Sequence, residues 1–473
     1  MEYVLNSLSL DDIYPNEYYI VDIEGNIYYP EEYDYKDEYF KALVDHEVFK
    51  KEVKRKKSPH IDLMKKLKLA EHEPYTDSGH LTYLPKGALV LDLLADRSLQ
   101  VVLALGAMPV KSSILYDLNI DAIKEHAKLF GQRMYKVKSE KRTFVLRYAA
   151  CFGQFSLLKR HYLTYRDLPL RIFELADSYR YEQRGEISGL ARVRRFYMPD
   201  LHVLLKDLDE AKKEFLSLYK LIFSEAERFG WTYYSLYNID PSFLRNEWNF
   251  VLELVKFEGK PVLLHTVEEG KYYWRINVEF TYIDSQMRPL ETATIQIDTG
   301  NAERFDITYI DKDSTKKYPV IIHTAIHGSL ERFLFEFLEE AAKMQIRGEK
   351  PQLPVWLSPV QVRIIPVSEK HLSFAIDVAK KIAEAMIRVD VDDRALTVSK
   401  KVMEAEREWI PYIVIIGEKE IEKGKLTVRI RKTGEIRHLE INKLIDIIDT
   451  EIGDMPRRPL YFPMFMSRRP EIT

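Results

Sequence analysis

The stretch Ser178–His202, SYRYEQRGEISGLARVRRFYMPDLH, decides how this chain is read. Arg180 and Glu182 stand two apart, so on a strand they share a face. Arg192, Arg194, Phe196, Met198, Asp200 and His202 also step by two, and a polar loop around Gly185 and Gly189 separates the runs. The pattern predicts two antiparallel strands joined by a loop, one face carrying guanidiniums, a ring and carboxylates. A hydrophobic core has no use for that face. A polyanionic, aromatic ligand does, because Arg pairs with phosphate oxygens and a ring stacks on a base.

A second stretch, Tyr318–Glu340, reads YPVIIHTAIHGSLERFLFEFLEE. It is an apolar strand running into a helix at Gly328–Ser329, with Ser329 as N-cap and Arg332 in the first helical turn. Arg180, Arg192 and Arg332 then supply three guanidiniums from two elements, enough to clamp a triphosphate. Such a clamp, with Mg²⁺, stabilises charge at phosphorus without a protein nucleophile.

Around these stretches, residues 59–349 mix strands (Leu170–Tyr181, Ala191–Leu205, Tyr272–Ile283, Glu291–Asp298) with helices (Gly87–Gly106, Leu208–Gly230, Ser329–Gln345). Strands so close in sequence predict an α+β domain, an antiparallel sheet flanked by helices. Residues 1–58 are tyrosine-rich and acidic, then basic, with a hairpin at Tyr18–Tyr29 turning on Gly25–Asn26 and a helical stretch to about Lys57. Lys350–Pro359 holds three prolines and reads as a linker. Beyond it, strands (Val360–Val367, Tyr412–Gly417, Lys425–Arg431) alternate with helices (His371–Ala385, Lys443–Thr450), which predicts an α/β domain with a mostly parallel sheet over 350–473. No GxGxxG or GxxxxGKS turn is present, so the Rossmann and P-loop routes to nucleotides are unsupported.

Composition narrows the partners. The net charge of −3 advertises no nucleic acid globally, so an RNA must be met by local patches. Lys50–Lys57, KKEVKRKK, is one such patch, or else a solvated helix face. A single cysteine excludes an internal disulfide framework and suits a reducing cytosol. No signal peptide and no membrane-length apolar run is evident, so the expected location is cytoplasmic.

Arg180–Phe196 resembles motif 2 of the class II aminoacyl-tRNA synthetases, and Gly328–Arg332 resembles motif 3. The likeness is greatest to the threonyl group, in an archaeal-like form, and covers His60 to about Asp449. It implies an ATP-dependent enzyme that forms threonyl-adenylate and passes threonine to tRNA(Thr), working as a homodimer. Residue by residue, Arg180 binds the α-phosphate, Glu182 the adenine amino group and Arg192 the γ-phosphate. Phe196 stacks on adenine, Arg332 covers its other face, and Thr294 and Gln296 contact the adenylate. Arg180 and Arg332 are the catalytic pair. The resemblance also implies one Zn²⁺ per chain on Cys151, His202 and His323, with Mg²⁺ accompanying ATP. His327 competes for the third ligand position, but its place in the family pattern is not a ligand. Asp200 fixes the threonine amino group and Ser329 lines the amino-acid pocket.

The family's zinc takes the substrate amino and hydroxyl groups. A site built round a hydroxyl rejects its absence by roughly 10⁴–10⁵, whereas one methyl gives only about 10–200-fold. Valine is therefore excluded and serine leaks. The family commonly carries an editing domain before the catalytic one, and bacterial members show HxxxH there. The first fifty-odd residues here contain no such motif, so editing is expected from a separate protein acting in trans. In the C-terminal region, Glu420 and Arg429 match positions that read anticodon bases.

This chain departs from the pattern in places. Ser113 stands where motif 1 has proline, Phe152 and Gln154 follow Cys151, Met198 replaces a glutamine, and Glu291 another. The lysine and tyrosine expected around Trp274–Asn277 are absent or shifted. A non-catalytic paralogue binding tRNA or mRNA is the alternative, opposed by the intact Arg180, Glu182, Phe196 and Arg332. A class II enzyme for serine or proline is opposed by the Cys/His/His set.

Overall fold

The computed structural model describes residues 7–51 and 57–473. Residues 52–56, the middle of the basic run expected as a patch, lie outside the described residues. Two compact units are formed: Met1–Lys56 with Ser98–Phe333, and Lys57–Arg97 with Leu334–Thr473.

The first unit is built on a ten-stranded sheet. Its strands are β1 (Tyr18–Val21), β2 (Ile27–Tyr28), β3 (Met108–Pro109), β4 (Leu170–Tyr179), β5 (Arg195–Leu205), β6 (Tyr233–Ile239), β7 (Val262–Thr266), β8 (Trp274–Ile283), β9 (Pro289–Asp298) and β10 (Val320–Ala325). They lie in the order β2-β1-β7-β6-β8-β9-β10-β5-β4-β3. All neighbours are antiparallel except β6/β7 and β3/β4. The expected antiparallel sheet flanked by helices is therefore present.

Alternation gives the sheet two different faces. On β9, Ala293, Ile295 and Ile297 are fully buried, while Thr294 and Gln296 are half-buried on the other face. Helix α1 (Glu38–Glu47) packs near β6, β8 and β9; Asp37 caps it by accepting from the Tyr39 and Phe40 amides, and Phe40, Leu43 and Val44 are buried. Helix α2 (Cys151–Lys159) carries the single cysteine at its first residue. Helix α3 (Leu208–Arg228) packs on β5, β9 and β10 with Ala211, Phe215, Leu218 and Ile222 on its buried stripe. Helix α4 (Leu330–Ile346) starts beside β10 in sequence, within a residue of the expected boundaries.

Several expectations are corrected. The two motif strands stop short: β4 ends at Tyr179 and β5 begins at Arg195, so Arg180, Glu182, Arg192 and Arg194 all belong to the loop. Polar and charged residues there satisfy their backbone within the loop, through a short 3₁₀ turn at Arg184–Glu186 and a bridge between Ser188 and Arg192. The N-terminal helix ends at Glu47, well before Lys57.

In the second unit a five-stranded sheet uses β11 (Val362–Pro366), β12 (Val389–Val391), β13 (Tyr412–Ile416), β14 (Leu426–Ile430) and β15 (Ile436–Leu439), in the order β12-β11-β13-β14-β15. Only β11/β12 and β11/β13 are parallel; β13/β14 and β14/β15 are antiparallel. The sheet is mixed rather than mostly parallel, because five residues between β14 and β15, including left-handed Gly434, allow a hairpin and no crossover. The proline-rich stretch expected as a linker is packed: Trp356 is buried and Arg388 donates to the carbonyls of Trp356 and Ser358.

Candidate functional site

One face of the first unit's sheet collects the chemistry. Register sets His202 of β5 opposite His323 of β10, and His323 opposite Gln296 of β9. Period two then places Phe196, Met198 and Asp200 on the His202 face, and Thr294 with Asp298 on the Gln296 face.

The guanidinium cluster lines a small cavity of about 40 Å³ with Glu182, Phe196, Met198 and Ser329. Arg180 lies 5.2 Å from the centre of the Phe196 ring and donates to the Tyr148 carbonyl. Burial, and then the neighbouring Arg332, push the Arg180 guanidinium below its usual range. Two close cations in a desolvated place favour an anion between them. Arg192 donates to Glu182 Oε2 at 3.2 Å through Nε and lies 3.0 Å from it through Nη2, so this arginine is drawn back over the pocket floor. Arg194, from the same run, is different: it is buried and donates through Nε and Nη2 to the Glu182 carbonyl, tying the loop. It is a loop brace, not a member of the clamp.

Ser329 caps α4, its Oγ accepting from the Arg332 amide at 3.2 Å. Arg332 reaches across to the carbonyls of Ala191 (3.2 Å) and Glu291 (2.6 Å). Gly328 makes this turn possible: its φ is +65°, and a Cβ there would sit 2.1 Å from the Thr292 carbonyl oxygen. A side chain at 328 would push the arginine-bearing turn off the sheet.

Cys151, His202 and His323 converge as expected. Cys151 Sγ lies 3.2 Å from His202 Nε2 and 3.6 Å from His323 Nδ1. Zinc bonds of ~2.3 Å to sulfur and ~2.05 Å to nitrogen at the tetrahedral angle place S and N about 3.6 Å apart. The far nitrogen of each imidazole is engaged: His202 Nδ1 with Gln154 Oε1 at 2.9 Å, His323 Nε2 with Asp298 Oδ2 at 2.7 Å. Each acceptor holds a proton on the far nitrogen and leaves the inner one as a lone-pair donor, the arrangement metal-bound histidines use. Burial, with His323 beside it, pushes His202 well below its ordinary range, so the ring is neutral. The three residues fit a metal ion and supply three of the four ligands of a tetrahedral site. His327 does not join them; its Nε2 lies 3.0 Å from Glu225 and its ring stacks on Phe333.

Asp200 is half-buried on the same face, and desolvation pushes its carboxyl up to about 7 against the opposing pull of His323 and Arg180. Four further residues went unrecognised in the sequence. Gln154 stands one helical turn after Cys151, a spacing that shares a helix face. Asp298 is two residues beyond Gln296 on the same strand face, and also accepts from the Gly300 and Asn301 amides. Tyr273 directly precedes the Trp274–Asn277 stretch, and its hydroxyl donates to Gln296 Oε1 at 3.2 Å. His126, with ring centre 5.7 Å from that of Tyr273, is pushed down to about 4 by burial, with Arg304 and His323 adding to it. No local pattern flags it.

The comparisons follow this geometry. Residues 135–341 match the tRNA synthetase class II core domain (G, H, P, S and T), and residues 361–451 match the anticodon-binding domain. The threonine–tRNA ligase of Caldivirga maquilingensis is 47% identical over 97% of this chain and 75% of that protein. Those of Pyrobaculum calidifontis and Hyperthermus butylicus are 45% and 43% identical, over 96% and 97% of this chain and 74% of each relative. The chain belongs to the threonine–tRNA ligase family. It spans about three quarters of the length of these relatives. Among solved structures, the one described as the RNA binding domain of threonyl-tRNA synthetase from Cryptosporidium parvum superposes with a TM-score of 0.74 at 25% identity, over 84% of this chain and 99% of that one.

Within the anticodon-binding domain of this ligase family member, Glu420 accepts from Thr427 Oγ1 (2.7 Å) and the Gly417 amide (2.9 Å). Arg429 pairs with Glu406 at 2.7 Å. No helix among the described residues is long and apolar enough to cross a membrane.

Proposed function

We propose that this chain activates threonine with ATP and transfers it to tRNA(Thr) at the face just described. The observation that carries the reading is the Cys151/His202/His323 cluster lying on the same sheet face as Phe196 and Met198, which line the cavity together with Arg180 and Arg332. ATP enters as its Mg²⁺ complex; Arg180 holds the α-phosphate and Arg192 leaves Glu182 for the γ-phosphate. Glu182, so released, accepts from the adenine amino group, while Phe196 and Arg332 enclose the ring. Thr294 and Gln296 hold the adenylate, Asp200 the threonine amino group, and Ser329 lines the pocket. A zinc ion on Cys151, His202 and His323 would supply Lewis-acid positions for the amino and hydroxyl groups of threonine.

The threonine carboxylate attacks the α-phosphorus in line, the bond to the β-phosphate oxygen breaks, and pyrophosphate leaves. Charge gathers on the phosphoryl oxygens, where Arg180 and Arg332 stand preorganised. The ribose hydroxyl at the tRNA 3′ end then attacks the activated carbonyl, losing its proton as AMP departs. In this reading residues 59–349 are the catalytic domain, 350–473 the linker and anticodon-binding domain with Glu420 and Arg429 reading bases, and 1–58 an N-terminal segment. The enzyme is cytoplasmic and a homodimer; exposed Met108 and Leu175 at the β3 edge of the sheet support an interface there. Serine retains both groups that the metal would take, so a separate editing protein is the partner this site calls for.

The test is ATP–pyrophosphate exchange with each amino acid, alongside metal analysis. Threonine-dependent exchange with about one zinc per chain is expected, with both lost in Cys151→Ala and His323→Ala. Exchange driven by an amino acid other than threonine or serine, or full metal content in both variants, would refute the assignment.

A further inference from the structure

One row of the large sheet is polar across seven adjacent strands. Strand register sets Tyr18 beside His265, His265 beside Asn238, Asn238 beside Asn277, Asn277 beside Gln296, Gln296 beside His323 and His323 beside His202. The row joins the N-terminal segment to the metal-binding cluster through one side chain per strand. Asn277 is buried and Asn238 and Gln296 are half-buried, so amide ends turned away from water need partners, and the bonds along the row have a direction.

Glu279, two residues after Asn277 on β8, sets that direction. Its Oε1 accepts from Asn277 Nδ2 at 3.1 Å and from Asn238 Nδ2 at 3.0 Å. An oxygen that only accepts turns both NH₂ groups toward itself. Asn277 Oδ1 is then left to accept from Gln296 Nε2 at 3.1 Å, and Gln296 Oε1 accepts from the Tyr273 hydroxyl at 3.2 Å. On the other side, Asn238 Oδ1 bonds His265 Nδ1 at 2.8 Å, and Tyr18 stacks on that imidazole with ring centres 4.4 Å apart and planes within 14°. Burial, then Glu291 and Glu47 nearby, push the Glu279 carboxyl up. A proton on Oε2 still leaves Oε1 an acceptor, so the direction holds in either ionisation state.

We infer that Glu279, Asn277 and Asn238 are positioning residues for the ligase reaction, which lock the Gln296 amide in one of its two senses toward the adenylate. With that sense locked, Gln296 keeps one N–H and one lone pair in a fixed direction for the substrate. A flipped amide would present the opposite polarity at the same place. Tyr18 and His265 close the far end, which gives the N-terminal segment a part in the site. The inference rests on Gln296 contacting the adenylate, as proposed above.

The experiment is a double-mutant cycle read by threonine-dependent ATP–pyrophosphate exchange on the full chain. Glu279→Gln keeps the shape but can donate as well as accept, so it no longer dictates the amide sense. It is expected to lower kcat about tenfold with KM for ATP little changed. In a Gln296→Ala background the same change should cost less than about twofold, because nothing remains to be positioned. Asn277→Ala, which removes the link and leaves Glu279 in place, should behave alike if Glu279→Gln fails to fold. A Glu279→Gln effect that is absent, or that persists undiminished without Gln296, overturns the positioning role. A Gln296→Ala variant with normal exchange would instead remove the adenylate contact, and the inference with it.

Discussion

Replacing Gln154 by leucine isolates what holds the metal site in order. Gln154 Oε1 accepts from His202 Nδ1 at 2.9 Å, and this bond leaves His202 Nε2 facing Cys151 Sγ at 3.2 Å. Without the acceptor, the imidazole loses its preferred tautomer and ring angle. Loss of such a supporting bond lowers metal affinity about 10–100-fold, or roughly 1.4–2.7 kcal/mol. Folding of the metal-free protein should respond far less. The lost bond costs about 1 kcal/mol. Against that, Gln154 is fully buried and its Nε2 has no hydrogen-bond partner, so leucine removes an unsatisfied donor of comparable cost. The two terms nearly cancel, and the metal-free melting temperature should move by less than about 2–4 °C. The assay strips the metal, then measures zinc affinity by competition with a chromophoric chelator beside a thermal melt. Gln154→Glu, which keeps an acceptor, should hold affinity near the wild type. Wild-type zinc affinity in Gln154→Leu would refute the orienting role. A collapse of the metal-free melt would refute the cancellation.

Three further outcomes are expected. Arg332→Ala should slow threonine-dependent pyrophosphate exchange by about 10²–10³-fold while leaving folding within about 1 kcal/mol, because a donor at developing charge is worth more than one accepted by two carbonyls; unchanged exchange would remove it from the site. Arg429→Ala should lower kcat/KM for tRNA charging roughly tenfold and leave pyrophosphate exchange untouched, since its pair with Glu406 is partly exposed and worth under about 1 kcal/mol; equal charging would rule out base reading by this side chain. Burial would raise Glu408, but Arg363 and Lys86 outweigh it and hold the carboxyl well below its usual value. A depressed carboxylate stabilises the fold above its unfolded pKa of about 4.3 and loses that as pH falls toward its folded value; melting temperatures should therefore fall below about pH 4 in the native chain and less steeply in Glu408→Gln, and identical profiles would contradict this.

Local periodicity and cap chemistry made much of the site legible in the sequence alone. Phe196, Met198, Asp200 and His202 alternate along one strand, and Gly328–Ser329 announces a helix start with Arg332 in its first turn; both patterns span a few residues and obey local geometry. The same local rules misled at the strand ends. Arg192 and Arg194 keep the two-residue step but lie in a loop, where the fold sends one over Glu182 and the other behind it. Cys151, His202 and His323 could be joined beforehand only through family likeness, since no spacing links residues so far apart. Tertiary structure decided the rest: the pairing of β5 with β10 sets one histidine opposite the other, α2 delivers the thiol, and Gln154 and Asp298 fix both rings. The row from Tyr18 to Asn277, which leads to Gln296, is the clearest case. Each of its residues is unremarkable on its own strand, and only the order and register of the sheet, which depend on contacts hundreds of residues apart, line them up.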